Sequence, residues 1–220
     1  MTLPLLILGC AILWSLESAE HRLPHTLANL GLTAAVLLTN LALSFLAAWA
    51  SAVSQRETQL PVGLQIITGI AALDLFAYFA HVLLHKAPLA WRFHRVHHSD
   101  EAVDVTTAFR QHPGESVWRV LWQLPAILLF GLPLWIVLLY LTISATNAQL
   151  EHASIRLSEG LDRRLRLVFV TPNMHKVHHS RLQHETDSNY SNIFSIWDRI
   201  FGTYTRRVDF ATLRYGLEPS

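Results

Sequence analysis

Residues 74–99 read DLFAYFAHVLLHKAPLAWRFHRVHHS. His85 follows His81 by four residues, and His97 and His98 follow His94 by three and four. These are the intervals at which helical side chains share a face. A second cluster, His175, His178 and His179 in HKVHH, repeats the pattern further along. The chain of 220 residues holds 13 histidines, eight of them in these two stretches. Imidazole is a ligand for zinc, copper, iron and nickel. The spacing therefore predicts a fold built to bring the two clusters together around metal.

Working outward, 51% of the residues are hydrophobic and 15% charged, in long apolar runs. That composition points to one membrane-embedded domain of all-α class. Leu3–Leu16 has no basic leader and no small-residue cleavage pattern, and reads as a retained membrane segment. At 1.5 Å per residue it is roughly 21 Å long, short for a full crossing. Thr26 to about Ala52 and Val62 to about His85 are ample spans. Val120–Leu141 is apolar but interrupted by Pro125, Gly131 and Pro133. As one span it would leave the histidine clusters on opposite membrane faces. A break at Gly131-Leu132-Pro133 instead gives a re-entrant helical hairpin with limbs of about Ser116–Phe130 and Leu132–His152. Three to four transmembrane helices plus this hairpin are expected, with residues 153–220 forming a helical cap that holds the dimetal site.

Of the 17 Lys and Arg, only Arg22 and Arg56 precede Lys86. By the positive-inside tendency the C-terminal half, with both histidine clusters, is cytoplasmic in this integral, multi-pass reading. A net charge of +1 suggests no nucleic-acid partner, and the lone Cys10 excludes a disulfide framework. Residues 87–119 are polar with interspersed aromatics, as at a bilayer surface. Arg163, Arg164 and Arg166 read as headgroup contacts.

Asp74, Tyr78, His81 and His85 fall within a stripe about 60° wide on a helix. An acidic residue in an apolar helix needs a partner, and metal-bound imidazoles need acceptors for their second N–H. Asp74 is thus expected to orient a ligand. Eight histidines at ligand spacing exceed what one ion takes, which favours two adjacent ions. His21 and His25, divided by Pro24, are expected at the membrane interface. Trp197, Ile200 and Phe201 are expected to pack the cap.

HVLLH, WRFHRVHHS, TAFRQHPGE, the EHA turn, PNMHKVHHS and the closing NYSNIFSIWDRIFGTY together resemble the fatty acid hydroxylase superfamily over roughly Val62–Tyr204. That integral-membrane group also holds sterol desaturases and methylsterol oxidases. The resemblance implies a non-haem di-iron centre, O2 as co-substrate, and His81, His85, His94, His97, His98, His152, His175, His178 and His179 as metal ligands. It divides the chain into N-terminal membrane helices (1–61), a catalytic region (62–204) and a tail (205–220). The expected activity is O2-dependent hydroxylation of a membrane lipid C–H bond, with a lipid or sterol desaturase as the alternative. The substrate would be a fatty acyl chain, sterol or carotenoid. A separate electron-transfer protein, of b-type cytochrome or ferredoxin type, would supply electrons.

Two departures stand out. Val82 occupies a position that is often Arg in the family, and Ala148 one that is histidine in some hydroxylases. His112, Asn147 and His184 are the candidates for a tenth ligand, with water as the other option. Asp187, with Asn189 and Tyr190, is expected to orient ligand imidazoles. A metal transporter would spread ligands along its spans, yet Thr26–Ala52 contains no His, Asp or Glu. A non-catalytic metal-binding relative is the remaining reading.

Overall fold

The computed structural model describes residues 2–17, 22–56 and 59–218, with side chains described from Ile7 in the first helix and His25 in the second. Helices α1 (Thr2–Leu16), α2 (Arg22–Ser54), α3 (Val62–Lys86), α4 (Pro88–His98), α5 (Pro113–Phe130) and α6 (Leu134–His152) precede four short ones. These are α7 (Glu159–Leu165), α8 (Pro172–His178), α9 (Gln183–Thr186) and α10 (Ile196–Ile200). No strand occurs among the described residues, only two isolated bridges, Phe169 to Phe194 and Ser180 to Tyr215.

Proline and glycine set the boundaries that matter. Pro88 forces Ala87 into an extended conformation (φ −93°, ψ 120°), so α3 stops at Lys86. The same proline, at the first helical position, starts α4. Gly131 ends α5 in the left-handed region (φ 59°, ψ 42°), and Pro133 caps the start of α6. A Cβ on Gly131 would stand 2.8 Å from the Ser54 carbonyl oxygen, so only glycine lets the turn lie against the end of α2. Ser51 Oγ secures that turn by donating to Leu132 O at 2.8 Å. The helix break falls at Gly131-Leu132-Pro133 as the sequence suggests; beyond it, Glu115 near the start of α5 faces His94 and His152 at the end of α6 meets His97.

Leu73 and Ala77 of α3, Ile127 of α5, Ile136, Val137 and Tyr140 of α6 and Ile193 form the main core. Gly69 lets α3 approach α6, since a Cβ there would be 2.6 Å from Ile136 Cγ2. The opposite surfaces are also apolar: Leu38 and Phe45 of α2 are 73% and 72% exposed. Two helices, His25–Ser54 and Val62–Lys86, are long and apolar enough to cross a membrane.

The cap is less helical than its sequence suggests, because side chains rather than helix ladders satisfy its backbone. Asp198 accepts from the N–H groups of Tyr190 (2.8 Å) and Ser191 (3.0 Å) and from the Thr203 hydroxyl (2.6 Å). Asp74 does the same from mid-α3, accepting from Ile193 N (3.1 Å), Phe194 N (3.0 Å) and Trp197 Nε1 (2.9 Å). Asp74 is therefore not the orienting partner of a ligand histidine. Its oxygens are taken by the closing segment, and it pins the cap to the bundle. Phe201 stacks on Tyr78 with centroids 5.2 Å apart.

Two other expectations change. Arg166 is buried and paired with Asp162 and Glu159, which removes it from any headgroup; Arg163 and Arg164 are exposed. His25 does more than sit at an interface: its Nε2 lies 2.7 Å from Asp100, tying α2 to the loop after α4. His21 lies outside the described residues.

Candidate metal centre

Nine histidines converge in two buried groups, His81, His85, His94, His98 and His178 in one and His97, His152, His175 and His179 in the other. Within each group the candidate ligand atoms lie within 4.8 Å of one another. The helical intervals explain the sorting. On α4, the pair four apart, His94 and His98, serves the first group, and His97, on the adjoining face, serves the second. On α8 and its C-terminal cap the assignment is reversed: His175 and His179 serve the second group and His178 the first. The end of α3 adds His81 and His85 to the first group, while the end of α6 adds only His152 to the second. The place one turn before His152 is Ala148, so the groups number five and four.

The hydrogen bonds fix which ring nitrogens face inward. His97 Nδ1 lies 3.2 Å from the Arg110 carbonyl and His152 Nδ1 2.7 Å from that of Ala148. A carbonyl only accepts, so both Nδ1 atoms carry the proton and both Nε2 atoms present bare lone pairs. Those two Nε2 atoms are 3.1 Å apart. The same argument holds for His81, whose Nδ1 donates to Tyr190 O (2.7 Å); His94 Nδ1 stands 3.1 Å from Glu115 Oε2 without hydrogen-bond geometry. Their Nε2 atoms stand 3.0 Å apart. Lone pairs directed at each other at this range repel unless a cation lies between them. Adjacent ligands about 2.1 Å from one ion at right angles would be roughly 3.0 Å apart. The residues present fit a metal in each group.

Burial, followed by neighbouring imidazoles, holds His97, His98, His175 and His179 well below the usual imidazole range. His178 is shifted the same way by burial and by His85 and His94. All five are therefore neutral near pH 7, the form that binds metal.

An outer ring of acceptors orients the imidazoles. His178 Nδ1 donates to Ser188 O at 2.7 Å. Asp187 Oδ1 lies 3.5 Å from His85 Nδ1, beside the ring but outside hydrogen-bond geometry, and its Oδ2 2.8 Å from Lys86 Nζ. Burial works against ionisation of Asp187, but the neighbouring His85 and Lys86 outweigh it and keep the carboxyl well below its usual range. Glu151 Oε2 stands 3.7 Å from His175 Nδ1, and Asn147 donates to Glu151 and to Asn192 O. Asn147 is therefore two steps from the imidazoles rather than a tenth ligand. His112 is the N-cap of α5, accepting from Gly114 N at 2.9 Å and stacking on Phe93. His184 is exposed on α9. Neither belongs to the two groups.

Glu115 and Glu151 were not singled out from sequence as acceptors. For Glu151 the signal is the one used for Asp74, an acidic residue in an apolar helix, whereas Glu115 lies in the polar first turn of α5 and carries no such signal.

A cavity of about 760 Å³ opens between α1, α2, α5 and α6 and reaches both groups. His81, His97, His152 and His175 form its inner wall, and Leu30, Leu37 and Leu141, all partly exposed, line its outer part.

The fold thus combines two helices long and apolar enough to cross a membrane with two nests of histidines able to bind metal. Residues 66–203 match the family model for fatty acid hydroxylases, and the chain belongs to that family. It is 33% identical over 147 residues to ornithine lipid hydroxylase OlsE of Rhizobium tropici, covering 66% of this chain and 43% of that protein. It is 31% identical over 134 residues to alkylglycerol monooxygenase of Homo sapiens, covering 60% and 28%. A fatty acid hydroxylase, vlmA, of Lecanicillium sp is 28% identical over 153 residues, covering 62% and 40%. The chain thus spans less than half the length of these relatives. No solved structure matches it.

Proposed function

We propose that this protein hydroxylates a membrane lipid at a C–H bond, using O2 and a non-haem di-iron centre held by the nine clustered histidines. The overall change is R–H + O2 + two electrons + two protons to R–OH + H2O, with electrons from a separate carrier protein of b-type cytochrome or ferredoxin type. The observation that carries this reading is a cavity with partly exposed apolar walls at one end and imidazoles of both groups at the other. Relatives named as lipid hydroxylase and alkylglycerol monooxygenase support the substrate class.

When bound, the iron pair supplies the redox chemistry that imidazole and carboxylate side chains lack. This chain's residues supply the rest. His97, His152, His175 and His179 would hold one ion, and His81, His85, His94, His98 and His178 the other. The carbonyls of residues 110, 148, 188 and 190 hold the ring N–H groups of four histidines, keeping the opposite nitrogens aimed inward, and Glu115, Asp187 and Glu151 stand beside the Nδ1 atoms of His94, His85 and His175. The apolar walls exclude water and accept a hydrocarbon chain.

In this reading α2 and α3 cross the bilayer, α1 enters it, and α5 and α6 dip in and return, with residues 153–218 on the cytoplasmic side. Residues 62–204 form the catalytic region. A desaturase built on the same site is the alternative chemistry. The test is to load purified protein anaerobically with iron, count the ions, and compare lipids with and without it under O2 and a reductant. About two ions per chain and a new lipid 16 mass units heavier are expected. A product lighter by two hydrogens would indicate the desaturase, and a single ion per chain would overturn the di-iron reading.

A further inference from the structure

The inner end of the cavity carries a polar patch in otherwise mostly apolar walls. Ser116, Arg119 and Gln123 all line it from α5, and their spacing of three and four residues puts them on one helical face. Ser116 is 3% exposed, yet its hydroxyl has no hydrogen-bond partner. A buried hydroxyl left unpaired is costly, so an orphan at a cavity wall marks where a ligand atom belongs. Arg119 gives Nε (2.8 Å) and Nη2 (2.7 Å) to Glu115 Oε1, which leaves Nη1 unengaged by that carboxylate. Gln123 is half-buried one turn further along the same wall. Glu115, beside Ser116 in the chain, is also the carboxylate facing His94. The patch therefore sits next to the outer ring of the metal centre.

We propose that Ser116, Arg119 and Gln123 form a subsite for a hydrogen-bond-accepting oxygen of the lipid, the ester or ether oxygen that joins chain to head group. This rests on the hydroxylase reading above and deepens it. All three side chains offer donors; of the nearby carboxylates, Glu115 is matched by Arg119, and Glu151, elsewhere on the cavity wall, accepts from Asn147. An oxygen held there places a carbon a few bonds away against the histidine wall, while the chain runs outward along Leu30, Leu37 and Leu141. The subsite favours acyl or alkyl glycerol-type lipids over pure hydrocarbons such as carotenes.

The test measures equilibrium binding to the full chain in detergent, without turnover. Three probes of one chain length are used: the hexadecanoyl ester of glycerol, the hexadecyl ether of glycerol, and hexadecane. Each is compared between wild type and the Ser116→Ala and Gln123→Leu variants, so micelle partitioning cancels within a probe. Arg119 is left intact because it also holds Glu115. Each variant should weaken an oxygen-bearing probe about 5- to 10-fold, the worth of one hydrogen bond, and leave hexadecane within about 2-fold. Weakening of the ester alone or the ether alone supports the subsite and says which oxygen it takes. Equal weakening of all three probes, no weakening, or no saturable binding overturns it. Iron content and product formation are measured separately, so loss of this subsite and loss of the hydroxylase reading are distinguishable. An unchanged melting temperature verifies that each variant folds.

Discussion

His98 Nε2 lies 3.1 Å from His178 Nε2, although 80 residues separate them in the chain. Replacing either by Ala removes a nitrogen from the first group and leaves the second group intact. Iron content should fall from about two to about one ion per chain, with lipid oxidation reduced at least about 100-fold. Metal analysis and product mass spectrometry check this, and retention of both ions would remove these residues from the site.

Glu151→Gln keeps the shape of the side chain but weakens the acceptor facing His175. Iron affinity of the second group should drop by up to about 10-fold, less than the loss of a hydrogen-bonded orienting carboxylate would cost, because Glu151 stands 3.7 Å from His175 Nδ1. Titration against a competing chelator reads the change. Asn147→Ala, which acts only through Glu151 and Asn192, should have a smaller effect in the same direction.

The neutral imidazoles make the metal-free protein acid-sensitive. Burial lowers His97, His98, His175, His178 and His179 below their ordinary 6.5, so below that pH the unfolded chain binds protons that the folded one does not. Stability is therefore full above pH 6.5 and declines as pH falls, by up to about 1.4 kcal/mol per pH unit for each group. Melting temperatures of metal-free protein between pH 7.5 and 5 test the slope. A flat profile would show that these rings are protonated in the fold.

Gly131→Ala forces a Cβ at φ 59° into the Ser54 carbonyl. A loss of about 1–3 kcal/mol is expected, visible as a lower unfolding midpoint, while the folded fraction keeps its full iron complement.

Asp74→Ala strands two backbone N–H groups and the Trp197 indole N–H. Destabilisation of at least about 2–4 kcal/mol should follow, with iron per folded chain unchanged at low temperature. Iron loss without loss of stability would return Asp74 to the metal site.

The periodic features were legible in the sequence. HxxxH and the two HxxHH stretches announced helical faces, and Gly131 with Pro133 announced the turn that brings His152 back to the other histidines. The partition of the histidines into groups of five and four was not legible. It depends on α4 and α8 each giving different faces to different groups, which needs their mutual placement. Asp74 was misjudged for a related reason. Its alignment with His81 and His85 is real along α3, but the closing segment 193–197, more than a hundred residues away, reaches it first. His25 paired with Asp100 was equally out of reach, since no local pattern joins them.

Four ring N–H groups, those of His81, His97, His152 and His178, end on peptide carbonyls rather than on side chains. At positions 110, 148, 188 and 190 the anchoring atom persists whatever residue is installed, provided the main chain keeps its path. Substitution there will disturb ring orientation only when it bends that path, so proline introduced at Arg110, Ala148, Ser188 or Tyr190 is a sharper probe of imidazole alignment than any exchange of polar for apolar.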